Sequence, residues 1–414
     1  MMRGVCCITI LLLATAMPAR ADMRNLPPLA EVDKALENYP GVAAAEVRIA
    51  AARAQAEMLR VGPHEFVLSG SYTRRDVDRE GRYHEMDATL SRAIRLPGKA
   101  KLDREAGALG VEVAANKSED AHHQAALLLS DYWFDWLAAN ELVRNDQQTV
   151  TALEGVLSAL DKRVQARDAA PLEADQARAA LAAAQAQLAN SNMELEKARV
   201  SLSAVFPEIT LAPGASLSDP ELPPQPTAQL RDLIISRSHE IGAADKEAQR
   251  LSTVANRARS DRLPDPTLGI RTFNERGGIE RGVSLSLSIP LGGALRQATA
   301  QRAAADAHAA EYDVAEVRRR IQAIADSDIS ASTTRMKAWE SMRIAAGAAD
   351  TAAQRTAKGQ ALGAIDMTDM LLVQKQANDA RRAEIVARAD AVRAVTRMLI
   401  DAHEIWMNDH HDGQ

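Results

Sequence analysis

Two adjacent histidine pairs are the residues whose type and spacing most directly suggest chemistry, because imidazole nitrogens bind metal ions. His122-His123 lies within a long helix-forming stretch, where neighbouring side chains point in different directions. Two histidines on one helix share a metal ion when they are three or four residues apart, so we interpret this pair as core or solvated histidines. His410-His411-Asp412 lies in a polar tail and could bind a cation only loosely. We therefore predict no metal site.

Aromatic and sulfur-containing side chains form a second group of possible ligands. Tyr132-Trp133-Phe134 and the nearby Trp136 lie on the same helical stretch as the first histidine pair, and Met367 and Met370 are one helical turn apart. Both groups are typical of packing, although the two methionines could also contact a soft metal ion in transit. The sequence has no phosphate-binding glycine loop, no nucleophile elbow and no HExxH motif. We therefore expect neither enzyme activity nor a cofactor.

The N-terminus has the features of a secretory signal peptide over residues 1–21. Arg3 gives the positive flank, Val5 to Ala16 is apolar, and Ala19-Arg20-Ala21 fits a small-x-small cleavage site. Both cysteines, Cys6 and Cys7, lie within this segment. The mature chain is therefore expected to have no disulfide, no cysteine-ligated metal and no lipid anchor.

Charge and hydropathy limit the possible partners. Removal of the signal peptide takes away Arg3 and Arg20 and no acid, which leaves 48 basic against 56 acidic residues and a formal charge of −8. This acidic balance argues against nucleic acid as a partner. Beyond the signal peptide no apolar stretch approaches the roughly 20 residues of a membrane helix, so a membrane crossing would have to use β-strands.

The elements that carry these residues occur twice, at a spacing of 193 residues. An alternating segment ends at Leu96-Pro97 and again at Ile289-Pro290, and a long alanine-rich helix follows each time. Pro171 and Gly363 mark the turns between two such helices. Six prolines between residues 205 and 226 indicate a linker. We predict a first repeat over 22–206, a linker over 207–226, a second repeat over 227–407 and a polar tail over 408–414.

Each repeat is predicted to contain a helix, a β-hairpin and two long helices. The proline-free run from Lys99 to Ala166 would form a helix about 100 Å long, which is too long for a compact domain. Such an arrangement must bury its apolar faces by assembly with other chains. The predicted helices span 33–58, 99–166, 172–204, 228–262, 294–358 and 365–406, and the predicted hairpins span 65–96 and 267–289.

The strands alternate in a way that suits a membrane. Val283, Leu285 and Leu287 share one face of the last strand, and Ser284 and Ser286 share the other. In the second strand Arg92 falls among the apolar residues Met86, Leu90 and Ile94, and we expect it near a rim, because a lipid-facing arginine costs about 2–4 kcal/mol at mid-bilayer. Four strands cannot close a barrel, and lipid excludes open sheet edges. We therefore predict that several chains contribute strands.

The order and spacing of these motifs resemble the TolC-like outer-membrane efflux proteins over nearly the whole mature chain. The junctions Leu96-Pro97 and Ile289-Pro290, the segment Arg262-Leu263-Pro264-Asp265-Pro266 and the turn from Gly363 to Leu371 carry the resemblance. The resemblance implies a mainly α, mixed α/β fold with two structural repeats. Three chains would form a β-barrel with four strands from each chain in the outer membrane, continued as a long α-helical barrel in the periplasm.

The same resemblance implies partners and a gate. A homotrimer of this family meets a periplasmic adaptor (membrane fusion) protein and an inner-membrane RND-type pump. In the family, an acid six positions after the turn glycine contributes to a charged ring at the periplasmic gate, and that position is Asp369 here. A second family acid falls on Leu372, and Asp366 could replace its charge. Alternatively, both aspartates are ordinary first-turn acids favoured by the helix dipole.

The substrate expectation rests on a looser resemblance to the branch that works with heavy-metal efflux pumps, carried by the segments 62–66, 81–85 and 96–100. We therefore expect passive conduction of metal cations from pump and adaptor to the outside, and a multidrug or dye channel of the same fold is the alternative. A periplasmic adaptor is a rival from another class, but adaptors have a single helical hairpin. A purely structural coiled-coil protein would leave the amphipathic hairpins without a purpose.

Overall fold

The first repeat alternates helices with one β-hairpin. The computed structural model describes residues 26–212 and 214–407, so the predicted signal peptide and polar tail lie outside the described residues. Two short helices precede the hairpin and two long helices follow it. They are α1 (Leu29–Glu37), α2 (Pro40–Val61), β1 (Val67–Val77), β2 (Gly81–Ala93), α3 (Pro97–Gln165) and α4 (Pro171–Val205).

The second repeat has the same order of elements. Its hairpin turns through a short 3₁₀ segment, Arg276–Gly278, in which all three residues have positive φ. The elements are α5 (Thr227–Ser236), α6 (His239–Ser260), β3 (Thr267–Glu275), β4 (Glu280–Ser288), α7 (Ala294–Ala361) and α8 (Met367–Asp401). The long helices α3 and α7 contain 69 and 68 residues, as the proline-free runs predict.

The leading helix of each repeat is broken, which corrects the prediction of one continuous helix. In the first repeat Pro40 begins α2, because proline lacks the N–H that a helix interior needs. In the second repeat Ser238 caps α6, and its hydroxyl accepts a hydrogen bond from Ile241 N at 3.3 Å. Helical periodicity continues through both breaks, so periodicity alone does not detect them.

The two repeats are offset by 196 residues at their tips rather than by 193. Pro171 begins α4 and Met367 begins α8, and both helices contain 35 residues. The difference arises at the second junction, where Leu291, Gly292 and Gly293 separate Pro290 from the start of α7. The structural partner of Gly363 is therefore Arg167, and both have positive φ.

The strands form one antiparallel sheet in the order β1-β2-β3-β4. The register aligns one apolar row across all four strands, in which Leu68 faces Leu90, Leu90 faces Ile270 and Ile270 faces Leu285. Within the described residues β1 and β4 each pair with one strand only, so both are edge strands of this chain's sheet.

The helices pack side by side in one layer. Near the sheet the order is α2, α3, α6 and α7, and further away α4, α3, α8 and α7 lie next to one another. Small residues permit close approach in this layer: the Cα of Ala56 in α2 lies 2.9 Å from the position that a Cβ on Gly107 would take. The outer helices are α2 and α4 on one side and α7 on the other.

The largest apolar cluster lies around the middle of the long helices. It combines Leu36 of α1, Phe134 of α3, Leu230 of α5 and Met398 of α8, all with 0% exposure. Trp133 and Trp136 of α3 join it with ring centroids 4.9 Å apart, as the packing interpretation of the aromatic group predicts. In the described part of the chain, none of the helices combines enough length with enough apolar character to cross a membrane.

Candidate functional site

The sheet has an exposed apolar face and a more covered polar face. On the apolar face the side chains of Leu68 and Leu285 are 75% and 84% exposed. On the polar face Asp87, Thr89 and Ser91 of β2 are all half-buried. This is the reverse of a sheet that folds in water, where the apolar face is covered. The alternation therefore gives the faces that the sequence predicts.

The polar face carries an ion pair between two strands. Arg271 Nε of β3 lies 3.1 Å from Asp87 Oδ1 of β2, and Ser71 of β1 also donates a hydrogen bond to Asp87. Nearer the hairpin turns, Arg75 lies 2.7 Å from Glu85. Charges and hydroxyls on this face suit contact with water.

Arg92 is a charged residue on the apolar face of β2, at the end of the strand away from the hairpin turn. Its Nε donates to the carbonyl oxygen of His64 at 3.0 Å, and its guanidinium lies 4.7 Å from the ring centre of Phe66. Ala93, the next residue, is the last of β2. The arginine thus lies where the strands meet the helices, the rim position that its charge predicts.

The two predicted strand–helix junctions differ in detail. Pro97 is the first residue of α3, where its missing N–H has no helical partner to lose. Pro290 lies in the segment between β4 and α7 and is not a helix residue, because Gly293 is the N-cap.

A buried lysine holds the first junction together. Lys99, 2% exposed, extends its Nζ to the Leu263 carbonyl oxygen at 2.6 Å, to Asp265 Oδ1 at 2.8 Å and to Asp261 Oδ1 at 3.0 Å. Asp265 also accepts from the backbone N–H of Leu96 at 3.3 Å and contacts His64 Nε2 at 2.9 Å. Burial would raise the pKa of Asp265, but the hydrogen bonds from Lys99, His64 and Leu96 N outweigh it and lower the pKa. The junction therefore contains an ionised network.

A second acid extends this network to the helices. Asp103 of α3 lies 2.9 Å from Arg95 and 2.7 Å from Arg257 of α6. Arg95 also donates to the carbonyl oxygens of Leu59 and Arg60 at the end of α2. Lys99 and Asp265 belong to separate sequence motifs, and their pairing was not predicted because they are 166 residues apart. Asp103 was missed, and its partner Arg257 is 154 residues away.

The predicted gate residues lie at the start of α8. Asp366 is the N-cap, and its carboxylate accepts a hydrogen bond from Asp369 N at 2.8 Å. The side chain of Asp369 lies in the first helical turn, and both aspartates are exposed. The arrangement is the one that the helix-dipole alternative describes, and it also leaves both carboxylates free to face another chain.

The two helical turns at the tips have the same backbone hydrogen bonds. Gly363 has a φ of 76°, and Ala364 N donates to the carbonyl oxygen of Gly359 at 2.9 Å. At the other tip Arg167 has a φ of 61°, and Asp168 N donates to the carbonyl oxygen of Arg163 at 2.8 Å. Both are the left-handed helix caps that favour glycine. Pro171 follows as the first residue of α4.

The two tips pack against each other through buried side chains. Met367 and Met370, 3% and 5% exposed, join Leu160, Ala174 and Ala177 in a small apolar cluster. The methionines are therefore packing residues within the chain.

A buried polar network joins three of the long helices above the tips. Asp146 of α3, 2% exposed, accepts hydrogen bonds from Arg382 of α8 and from Ser191 of α4, the latter at 2.6 Å. Next to it, Asn145 donates to Asn378 of α8 at 2.8 Å. Removal of one partner would leave a buried charge unpaired, so this network fixes how α3, α4 and α8 align.

A third polar cluster lies between the middle of α7 and the C-terminal end of α8. Asp401 Oδ1 lies 2.8 Å from His123 Nε2, and Arg397 Nε lies 3.3 Å from Asp328 Oδ1. Burial and the hydrogen bond with Asp401 raise the pKa of Asp328 to about 8. Burial and the neighbouring His239 lower the pKa of His403 to about 3, so its ring is neutral at pH 7.

Comparison with known proteins gives a family-model match to one repeat and a fold shared by both repeats. Residues 32–206 match the family model of the outer membrane efflux protein. The fold resembles CusC, which forms a transmembrane channel, with a TM-score of 0.73 at 15% identity over 90% of this chain and 91% of that one. The Campylobacter jejuni CmeC outer membrane channel gives a TM-score of 0.72 at 16% identity over 90% of this chain and 84% of that one.

The open-state Neisseria gonorrhoeae MtrE outer membrane channel gives a TM-score of 0.70 at 16% identity over 90% of this chain and 88% of that one. No curated protein sequence matches the chain. The outer membrane efflux protein model thus matches the first repeat, and the fold of both repeats resembles that of the solved outer membrane channels.

Proposed function

We propose that this chain is the outer-membrane channel of a tripartite efflux system and works as a homotrimer. The observation that carries the proposal is the sheet, whose apolar face is exposed, whose polar side chains on β2 are half-buried and whose two edges are unpaired in the described chain. Lipid would cover the apolar face, and β1 of one copy would pair with β4 of the next, because a sheet in lipid tolerates no open edge. Three copies would close a barrel of twelve strands.

The outer helices support the same assembly. Val47 and Met58 of α2 are 71% and 66% exposed, and Ile344 of α7 is 64% exposed. These side chains lie on the opposite edges of the helical layer. Contact between α7 of one copy and α2 and α4 of the next would cover them and form a periplasmic tunnel.

The proposed partners are a periplasmic adaptor protein and an inner-membrane RND-type pump. A passive channel needs an energy source elsewhere, and the tips of the helical hairpins are the part of this chain furthest from the sheet. Exposed acids at the tips, Asp366 and Asp369, are the proposed periplasmic gate.

Metal cations are the proposed substrate class. The support is the resemblance of segments 62–66, 81–85 and 96–100 to the heavy-metal branch. Drugs and dyes are the competing substrate class.

Assembly and location are tested by extraction and by mass in detergent. We expect the protein in the outer-membrane fraction as a trimer that resists extraction with salt. A monomer released by osmotic shock would contradict the channel and favour a periplasmic adaptor.

The substrate is tested by gene deletion. We expect the deletion strain to lose tolerance to one or two of copper, silver, zinc, cobalt and nickel salts, with tolerance restored by the wild-type gene. Sensitivity to dyes and antibiotics alone would refute the metal assignment and leave the channel as a multidrug route.

A further inference from the structure

Three metal-ligating side chains from both repeats converge in the wall of the helical layer. Asp120 and His123 belong to α3 of the first repeat, and Glu240 belongs to the first turn of α6 in the second repeat. One ligand atom from each lies within 4.8 Å of the other two. His123 is 7% exposed, and both acids are half-buried.

The two carboxylates have no cationic side chain to balance them. Asp120 accepts a hydrogen bond from Gln124 at 3.3 Å, and Glu240 accepts one from the Ser238 hydroxyl at 2.8 Å. Among the described residues neither acid forms an ion pair with a lysine or an arginine. Elsewhere in the chain, half-buried and buried acids such as Asp103 and Asp146 are paired with arginines. Two half-buried carboxylates beside each other therefore lack the compensation that the rest of the fold provides.

The surroundings of His123 suit a metal ligand. Asp401 Oδ1 lies 2.8 Å from Nε2 of this ring, and a carboxylate is the usual partner that orients a metal-binding histidine. The His403 ring centre lies 5.6 Å from that of His123. A cavity of about 120 Å³ reaches His123 and Glu240, which gives room for water molecules to complete the coordination of an ion.

We propose that Asp120, His123 and Glu240 bind a divalent transition-metal cation that joins the two repeats of the chain. Two carboxylate oxygens and one imidazole nitrogen suit zinc, cobalt or nickel better than a soft monovalent ion. Bonds of about 2.0–2.2 Å require donor atoms about 3–3.5 Å apart, so the side chains must close by roughly an ångström on binding. The inference is independent of what the channel exports, because the site lies in the wall between α3 and α6.

Zinc retention by the purified protein tests the site. The full chain is produced without an affinity tag, with His410 and His411 changed to alanine so that the tail contributes no ligand. The detergent-solubilised protein is stripped with a chelator, loaded with one equivalent of zinc sulfate and desalted, and retained zinc is counted per chain. We expect one zinc ion per chain and a zinc-dependent rise in the melting temperature.

Two matched substitutions decide the assignment. Glu240→Gln keeps the shape of the side chain and removes one ligand, and it should raise the zinc Kd by at least about tenfold. His122→Gln removes the neighbouring histidine, which is outside the proposed site, and should leave zinc binding unchanged. Equal melting temperatures of the zinc-free proteins would show that Glu240→Gln still folds.

Cobalt(II) provides a second readout that does not depend on stability. Its visible absorption should appear on binding to the wild type, and titration should show the same loss of affinity in Glu240→Gln. No retained zinc in the wild type, or equal zinc binding in wild type and Glu240→Gln, would overturn the site. Because metal is counted per chain, failure of the proposed trimer would not mimic either result.

Discussion

Asp366 and Asp369 have different structural roles, although both are acids at the start of α8. The Asp366 side chain caps α8, whereas Asp369 contributes its backbone N–H to that cap and leaves its carboxylate unused within the described chain. Loss of the first should therefore affect folding, and loss of the second should affect charge alone. The gate proposal can be tested only when these effects are separated.

Substitution of the two acids separates the charge from the cap. Asp369→Ala and Asp366→Ser both remove a carboxylate, and serine keeps a capping oxygen, so both proteins should unfold at nearly the wild-type temperature. If the acids form a charged ring, both substitutions should raise single-channel conductance in planar bilayers. Asp366→Ala should in addition destabilise the protein by about 1 kcal/mol through loss of the cap. Unchanged conductance in Asp369→Ala would remove that residue from the gate.

Asp328 makes stability depend on pH. Its pKa is about 8 in the folded chain against an ordinary value of 3.8, because burial and Asp401 disfavour the charged form and Arg397 only partly offsets them. Between pH 4 and pH 8 the folded state keeps a proton that the unfolded state has released. The contribution of Asp328 to stability is therefore complete below about pH 4 and is lost as pH rises to about 8.

Asp328→Asn should remove this pH dependence. Asparagine mimics the protonated acid, so the melting temperatures of variant and wild type should be close at about pH 4, where the contribution of Asp328 is complete. The variant should gain up to about 1.4 kcal/mol per chain for each pH unit towards pH 8. The lowered pKa of His403 acts in the opposite direction below pH 6.5, but it is common to both proteins.

The matched control for this experiment is Asp313→Asn, an exposed acid on the same helix. Its melting temperature should follow the wild type at every pH, measured at one scan rate because unfolding of such proteins is often irreversible. Parallel curves for wild type and Asp328→Asn would show that Asp328 is ionised in the folded protein.

At the scale of elements, helix ends set the geometry of this chain. Proline begins α2, α3 and α4, and left-handed caps end α3 and α7. The equivalent cap positions carry Arg167 in one repeat and Gly363 in the other. A side chain in this conformation is strained by about 1–2 kcal/mol, so the two tips differ in local stability although their backbones are alike.

Gly363→Ala should lower the stability of the second tip by about 1–2 kcal/mol, because alanine is strained at a φ of 76°. Gly347→Ala is the matched control inside α7, the helix that Gly363 caps, and nothing lies within 4 Å of the new Cβ there. Alanine there should stabilise α7 by roughly 0.5–1 kcal/mol. Proteolysis at the tips and thermal unfolding measure both effects. Equal changes in stability for Gly363→Ala and Gly347→Ala would contradict the left-handed cap at Gly363.

At the scale of the whole molecule, one chain leaves two kinds of surface incomplete. The sheet has two open edges and an exposed apolar face, and the helical layer has exposed apolar residues on both sides. Neighbouring copies and lipid are the proposed cover for these surfaces. The polar ion pair between Arg271 and Asp87 then lies on the inner, wet side.

Arginine substitutions on β4 test which face meets lipid. Leu285→Arg should reduce assembly in the outer membrane, because an arginine on a lipid-facing strand position costs about 2–4 kcal/mol per chain. Ser284→Arg adds the same side chain one residue earlier on the polar face and should assemble normally with altered conductance. The readout is the amount of heat-stable trimer in outer-membrane fractions. The opposite ranking of the two variants would reverse the assignment of the faces.

Local secondary structure is what the sequence alone determined. The alternation from Val283 to Ile289 is a period-two pattern that a strand satisfies, and the prolines that begin α2, α3 and α4 mark helix boundaries. Hairpins, long helices and two repeats could therefore be read directly. The offset of 196 residues between the tips of the two repeats could not be predicted from the sequence. The three extra residues after Pro290 continue a glycine-rich junction without a distinct pattern.

Long-range pairing is what only the tertiary structure decided. Lys99 meets Asp265 across 166 positions, and Asp120 and His123 meet Glu240 from the other repeat. Adjacent His122 and His123 suggested no shared metal, and nothing in their spacing indicated which distant acids would surround one of them. Local patterns follow from the chain's own covalent geometry, whereas such clusters depend on how α3 and α6 pack, which is set by many weak contacts distributed over the whole layer.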